Sequence, residues 1–119
     1  MPVRSSNSSV VKWPDVAIVD RALREWARRT CAARADVRRV GYFGSYARGD
    51  WGVGSDLDVI ILVTAARLPF ERRGVEWDLD ELPVPADVLV YTEDEWSRGA
   101  GGARLHETVA REGIWVFEG

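Results

Sequence analysis

The chain has 119 residues, 46% of them hydrophobic, and a formal charge of -3. That length supports one domain with a core of its own and excludes two comfortable ones, and the acidic balance excludes a broad electrostatic footprint for free DNA or RNA. The single cysteine, Cys31, excludes an internal disulfide, and no segment has the apolar run of a membrane span or the layout of a secretory signal, so a cytoplasmic protein is expected.

Residues 1–12 carry Ser5, Ser6, Asn7, Ser8 and Ser9 with no periodic apolar anchor, which predicts a mobile tail ahead of a single domain over 13–119. Pro14 suits a first helical position, and Val16, Val19, Leu23, Trp26 and Thr30 recur at three- and four-residue steps, predicting a helix from about Pro14 to Arg34. Its arginines interleave with Asp20 and Glu25 and read as a solvated face rather than a nucleic-acid stripe. Val37 to Phe43 is β-branched and aromatic, a first strand. One helical turn is expected over Ser45 to Arg48, then a surface loop from Gly49 to Ser55. From Asp56 to Val63 the residues after the two acids are continuously apolar, which predicts a central strand covered on both faces.

Ala65 to Leu82 mixes helical and irregular spacings around Gly74 and predicts a broken helix, stopped by Pro83 and Pro85. Ala86 to Tyr91 reads as a third strand with Asp87, Leu89 and Tyr91 on one face. Thr92 with Glu95 three residues later is a capping-box pattern for a short helix through Trp96. A further helix follows over Arg104 to Arg111, stopped by Gly113, and a last strand over Ile114 to Phe117. There are no internal repeats. The alternation of helix and strand argues for an α/β layer.

The chemistry concentrates between Gly41 and Val63, GYFGSYARGDWGVGSDLDVIILV. A Gly-Ser step after a strand lets backbone N–H groups and a hydroxyl approach a phosphate, which assigns Gly44 and Ser45 to that role. Asp56 and Asp58, two apart on a strand, project from one face about 7 Å apart along the chain and suit a divalent cation. Joined by one short loop, the two halves bring a triphosphate to a hard oxygen-ligand site, as Mg²⁺-dependent nucleotide chemistry requires. For both to share a site, the first two strands must run antiparallel; for Asp87 to join them, the second and third must run parallel. A mixed sheet is predicted. Arg48 is open between a phosphate contact and pairing with an acid such as Asp50, and Trp51 between stacking on a base and packing on its own scaffold. His106 and Cys31 have no partners in the sequence that favour a metal or catalytic role.

Gly-Ser, ten residues, then Asp-x-Asp, with Ala47-Arg48-Gly49 inside the loop and apolar strands on both sides, resembles the signature of nucleotidyltransferases related to DNA polymerase beta, and most of all the minimal nucleotidyltransferases. The resemblance implies a nucleotidyltransferase fold and a triad of Asp56, Asp58 and Asp87 that holds two Mg²⁺ ions and serves catalysis. It also implies that Gly44, Ser45 and Arg48 bind the nucleotide, with ATP or another nucleoside triphosphate as donor. Larger relatives carry a helical domain that builds the acceptor site, for which this chain has no room. Minimal relatives partner HEPN proteins, which implies an antitoxin that transfers AMP to a hydroxyl of its partner. Two alternatives stay open: a non-catalytic module that uses the fold to cover a partner, and a small-molecule nucleotidyltransferase acting as a homodimer.

Overall fold

The first helix, α1 (Val16–Ala33), opens where the Asp15 carboxylate accepts the Ile18 N–H at 3.0 Å. This cap satisfies one of the donors that a helix start leaves unpaired. Pro14, expected inside the helix, therefore precedes the cap. The computed structural model describes residues 13–119, so the tail expected over 1–12 lies outside the described residues. Val19, Leu23, Trp26 and Ala27 form the buried stripe of α1. Three of its arginines pair with acids, Arg24 with Asp20 at 2.6 Å, Arg28 with Glu25 at 2.6 Å, and Arg29 with Glu81, in keeping with a solvated helix face.

Four strands follow: β1 (Val37–Phe43), β2 (Leu57–Val63), β3 (Ala86–Thr92) and β4 (Ile114–Glu118), in the sheet order β3-β2-β1-β4. β1 is antiparallel to both of its neighbours, while β2 and β3 are parallel, giving the mixed sheet the site demanded. β2 lies inside and is buried on both faces. Leu57, Val59, Ile61 and Val63 join the core under α1, whereas Ile60 and Leu62 join a second cluster with Tyr91 and Val109. At roughly 2 kcal/mol for each fully buried aliphatic side chain, this double burial makes β2 the best-anchored element of the sheet. Tyr42 ties β1 to α1 by donating its hydroxyl to Asp20 at 2.8 Å.

Two short helices border the second face. The capping box of Thr92 and Glu95 opens α3 (Glu93–Ser97) as the spacing predicts, and α4 (Ala103–Glu112) runs to the Gly113 cap. Where a broken helix was expected over Ala65 to Leu82, only a 3-10 segment, Phe70–Glu76, is regular. Pro69 and Gly74 limit it to short turns, and its hydrogen bonds go elsewhere. Its Arg73, 7% exposed, donates to Leu68 O at 2.8 Å, to Val90 O at 3.1 Å and in a two-pronged pair to Glu95 at 2.6 and 2.9 Å. A buried side chain of one irregular segment thus fastens it across the outer edge of β3, covering backbone acceptors that an open edge would expose. Among the described residues no helix is long and apolar enough to cross a membrane.

The Arg73 pair holds the Glu95 carboxyl at about 2, well below its ordinary 4.5, chiefly through the guanidinium hydrogen bond and then the Thr92 backbone N–H. A depressed acid stabilises the fold fully above its unfolded value and loses that contribution as pH falls. Urea titrations should therefore show stability falling between pH 4.5 and 2, and Glu95→Gln should flatten that limb. Arg73→Ala, which leaves Val90 O and the Glu95 carboxylate without their partner, should cost about 2 kcal/mol at neutral pH.

Candidate active site

The end of β1 and the start of β2 meet because Phe43 pairs with Asp58 across the antiparallel ladder. Gly44 follows at φ 84°, ψ -152°, a conformation that side-chain-bearing residues rarely adopt, and a Cβ there would run into the Asp58 carboxylate. Only glycine lets the acid and the turn approach so closely. The chain then makes the single turn α2 (Ser45–Arg48), closed by Gly49 at φ 88° with its N–H on Ser45 O at 2.9 Å. Ser45, the first residue of this turn, is half-buried.

The turn is braced from behind. Tyr46 is buried, accepts the Trp13 indole N–H at 2.7 Å and stacks on Trp51 at 5.5 Å with planes 6° apart. One ring face of Trp51 thus packs on its own scaffold, and the Gly49 to Ser55 loop folds back on Tyr46. The Ser55 hydroxyl accepts the Gly52 N–H at 2.8 Å and pinches that loop before the acids.

Asp58 and Asp87 are register partners on the parallel strands β2 and β3, so their backbones lie one strand spacing apart, about 4.8 Å. Asp56 sits just ahead of β2 and is exposed, as is Asp87, while Asp58 is half-buried. Burial pushes the Asp58 carboxyl above its ordinary value, and repulsion from Asp87 and then Asp56 adds to it, with Arg48 opposing. Among the described residues no three acidic, histidine or cysteine side chains converge into a ready-made ion cage. The donors are nonetheless all carboxylates, near enough to repel, with backbone close-packed against one of them. That set fits a hard divalent cation such as Mg²⁺ and does not fit metals that prefer thiolate or imidazole.

Arg48 lies beside this group, half-exposed. Its Nε contacts Asp50 at 3.0 Å and its Nη1 contacts Glu112 at 3.1 Å. The same Glu112 oxygen accepts the Gly44 N–H at 2.8 Å, with the side chain only 8% exposed. Sequence reasoning passed over Glu112. The signal was present: it is an acid in the last turn of a helix, where exposed carbonyls disfavour negative charge, directly before the glycine that ends it. Such a residue needs a cationic or N–H partner from elsewhere.

The remaining candidates stand apart. His106 stacks on Trp96 with centroids 3.6 Å apart and places Nε2 2.8 Å from Ala100 O, a structural role on the second sheet face. Cys31 is half-buried and lines a cleft of about 540 Å³ with Arg24, Arg28, Val116 and Phe117. Burial raises its thiol above the ordinary value. Of the clefts among the described residues, those of 260 to 540 Å³ are lined by residues other than Asp56, Asp58 and Asp87. The acids occupy an open ledge at one end of the sheet.

Comparison with known proteins bears on this arrangement. A protein from Sulfolobus solfataricus, provisionally described as a nucleotidyltransferase, superposes with a TM-score of 0.60 at 18% identity, covering 92% of this chain and 93% of that one. Two crystal structures of toxin–antitoxin complexes, one with AMP-PNP and one a mutant of MntA-HpeT, each give a TM-score of 0.53. Their identities are 17% and 15%, with 84% of this chain and 73% of the other covered in both cases. These likenesses establish the fold. No protein with a curated description matches the sequence. The sequence model of the nucleotidyltransferase domain, however, matches residues 24–116, a span that contains the Gly-Ser turn, all three aspartates and Glu112, and this chain belongs to that family.

Proposed function

We propose that this protein transfers a nucleoside monophosphate, AMP from ATP, to a hydroxyl of a partner protein, and that it acts as the antitoxin of a HEPN toxin. What carries the reading is the junction of Gly44, Asp58 and Asp87: a glycine that admits the acid beside it, and a second acid in register on the next strand. In this reading Asp56, Asp58 and Asp87 hold two Mg²⁺ ions, which supply charge neutralisation for the triphosphate and a lowered pKa for the attacking hydroxyl. Ser45 donates its hydroxyl to the outer phosphates, the Gly44 turn keeps backbone close to them, and Arg48 offers a guanidinium to the same oxygens. The acceptor oxygen attacks the α-phosphorus as the bond to the bridging oxygen of pyrophosphate breaks. Asp87, exposed at the lip of the ledge, takes the acceptor proton.

A protein acceptor is supported by two features together. The ledge is open, and a charge of -3 disfavours free RNA. The likeness to toxin–antitoxin complexes, one of them containing AMP-PNP, points the same way.

Asp56→Asn combined with Asp58→Asn should abolish Mg²⁺-dependent binding of a non-hydrolysable ATP analogue in calorimetry. It should leave the melting temperature unchanged or raised, because a repelling, half-buried carboxylate is neutralised. Equal affinity in the wild type and the double variant would remove the aspartates from the nucleotide site.

For Asp87→Ala the expectation differs: turnover falls by about two orders of magnitude or more while nucleotide affinity changes little, since its carboxylate acts on the acceptor. Near-normal transfer would deny it the proton-accepting role.

The acceptor is read by intact mass spectrometry. After incubation with ATP and Mg²⁺ and then separation, the partner toxin should gain the mass of AMP and remain inactive as a ribonuclease. An unmodified, fully active partner, with inhibition in the mixture insensitive to Asp56→Asn, would instead establish a module that silences by covering.

A further inference from the structure

We propose that Glu112 is the positioning residue of the phosphate-binding turn, holding the Gly44 peptide and the Arg48 guanidinium in the orientation that receives the triphosphate. This rests on the reading above that the turn takes a nucleoside triphosphate. Glu112 stands where two effects disfavour it: the carbonyl end of α4, and a pocket that leaves its side chain 8% exposed. Its Oε2 is held there by two donors from the opposite element, Gly44 N–H at 2.8 Å and Arg48 Nη1 at 3.1 Å. Arg111, at 3.8 Å from its other oxygen, adds a weaker cation.

The consequence for the turn is geometric. Gly44 is confined on one side by the Asp58 carboxylate lying over its Cα, and on the other by Glu112 at its N–H. A peptide gripped at both points has one direction in which to launch α2, and that direction sets where the Ser45 hydroxyl sits relative to the three aspartates. Arg48 is gripped likewise, with Nε on Asp50 and Nη1 on Glu112, so its guanidinium is kept beside the ledge. Because the Gly44 N–H is already engaged, the phosphate contacts of this turn fall to Ser45 and Arg48, and Gly44 contributes by what its missing side chain permits.

The test compares Glu112→Ala, Glu112→Asp and Glu112→Gln with the wild type, using Mg²⁺ and α,β-methylene-ATP in calorimetry and hydrogen exchange of the Gly44 amide by NMR. Loss of a supporting hydrogen-bond partner around a metal or ligand site commonly costs about 10- to 100-fold, so Glu112→Ala should weaken binding at least about tenfold and accelerate Gly44 exchange. Glu112→Asp, one methylene short, should behave like alanine. Glu112→Gln, whose amide oxygen still accepts the Gly44 N–H, should keep that amide protected and hold affinity within about threefold of wild type. That rescue separates positioning from general packing, which alanine and glutamine would disturb together. Should the alanine variant fail to fold, the aspartate and glutamine pair decides the matter alone. Tighter binding in Glu112→Ala would mean that the carboxylate occupies the phosphate's own place, and unchanged binding would mean that the turn holds itself; either overturns the proposal. A wild-type protein that binds no Mg²⁺-nucleotide at all overturns the reading of the site as well, whereas protection of Gly44 is read without any nucleotide.

Discussion

The pairing of Phe43 with Asp58 is the constraint on which the rest depends. It sets the end of one strand against the start of the next, so that the first residue beyond β1 lies beneath an acid of β2. Gly44 then has to be glycine, and α2 has to begin there. The parallel pairing of β2 with β3 carries the same logic one strand further, bringing Asp87 beside Asp58. A slip of one residue in either ladder would turn the acids to the opposite face and separate them from the turn. The register is protected by burial: Leu57, Val59, Ile61 and Val63 on one face of β2 and Ile60 and Leu62 on the other have no alternative pairing that leaves both faces covered.

That burial also offsets the cost of the site. Three aspartates and Glu112 gather at one end of the sheet with Arg48 as the cation held among them, and the raised Asp58 carboxyl is the visible sign of repulsion and desolvation. Away from the ledge, opposite charges meet. Arg73 is buried but fully engaged with Glu95 and two backbone carbonyls, and Arg24, Arg28 and Arg29 of α1 each find an acid. Where like charges are instead left together at one spot, that spot is poised to bind what neutralises them.

The strands and the Gly-Ser to Asp-x-Asp loop were legible because each carries a local rule: β-branched runs for the strands, glycine at a close approach, acids at strand spacing. Even the strand directions followed, since a shared site admits only one arrangement of the three strands. Ala65 to Leu82 was not legible in this way. Its order comes from Arg73 reaching across to Val90 and Glu95, and from Trp26 donating to Asp78 O at 2.8 Å, long-range contacts with no periodic trace. Trp51 was ambiguous for a related reason, as its partner Tyr46 is close in sequence but the stacking depends on how the glycine loop folds. Glu112 was missed because it lies 68 residues from Gly44 and looks like an ordinary charged residue on a polar helix.

If the ledge takes a nucleoside triphosphate as proposed, electrostatics impose an order on its loading. The triphosphate would meet the aspartates and Glu112 with Arg48 as the nearby counter-charge, and that cation already answers to Asp50 and Glu112. A bare nucleotide would therefore be repelled, and a divalent cation is what both sides would lack. On that reading nucleotide and metal arrive as one neutralising unit or in quick succession, and affinity for nucleotide without metal should be negligible.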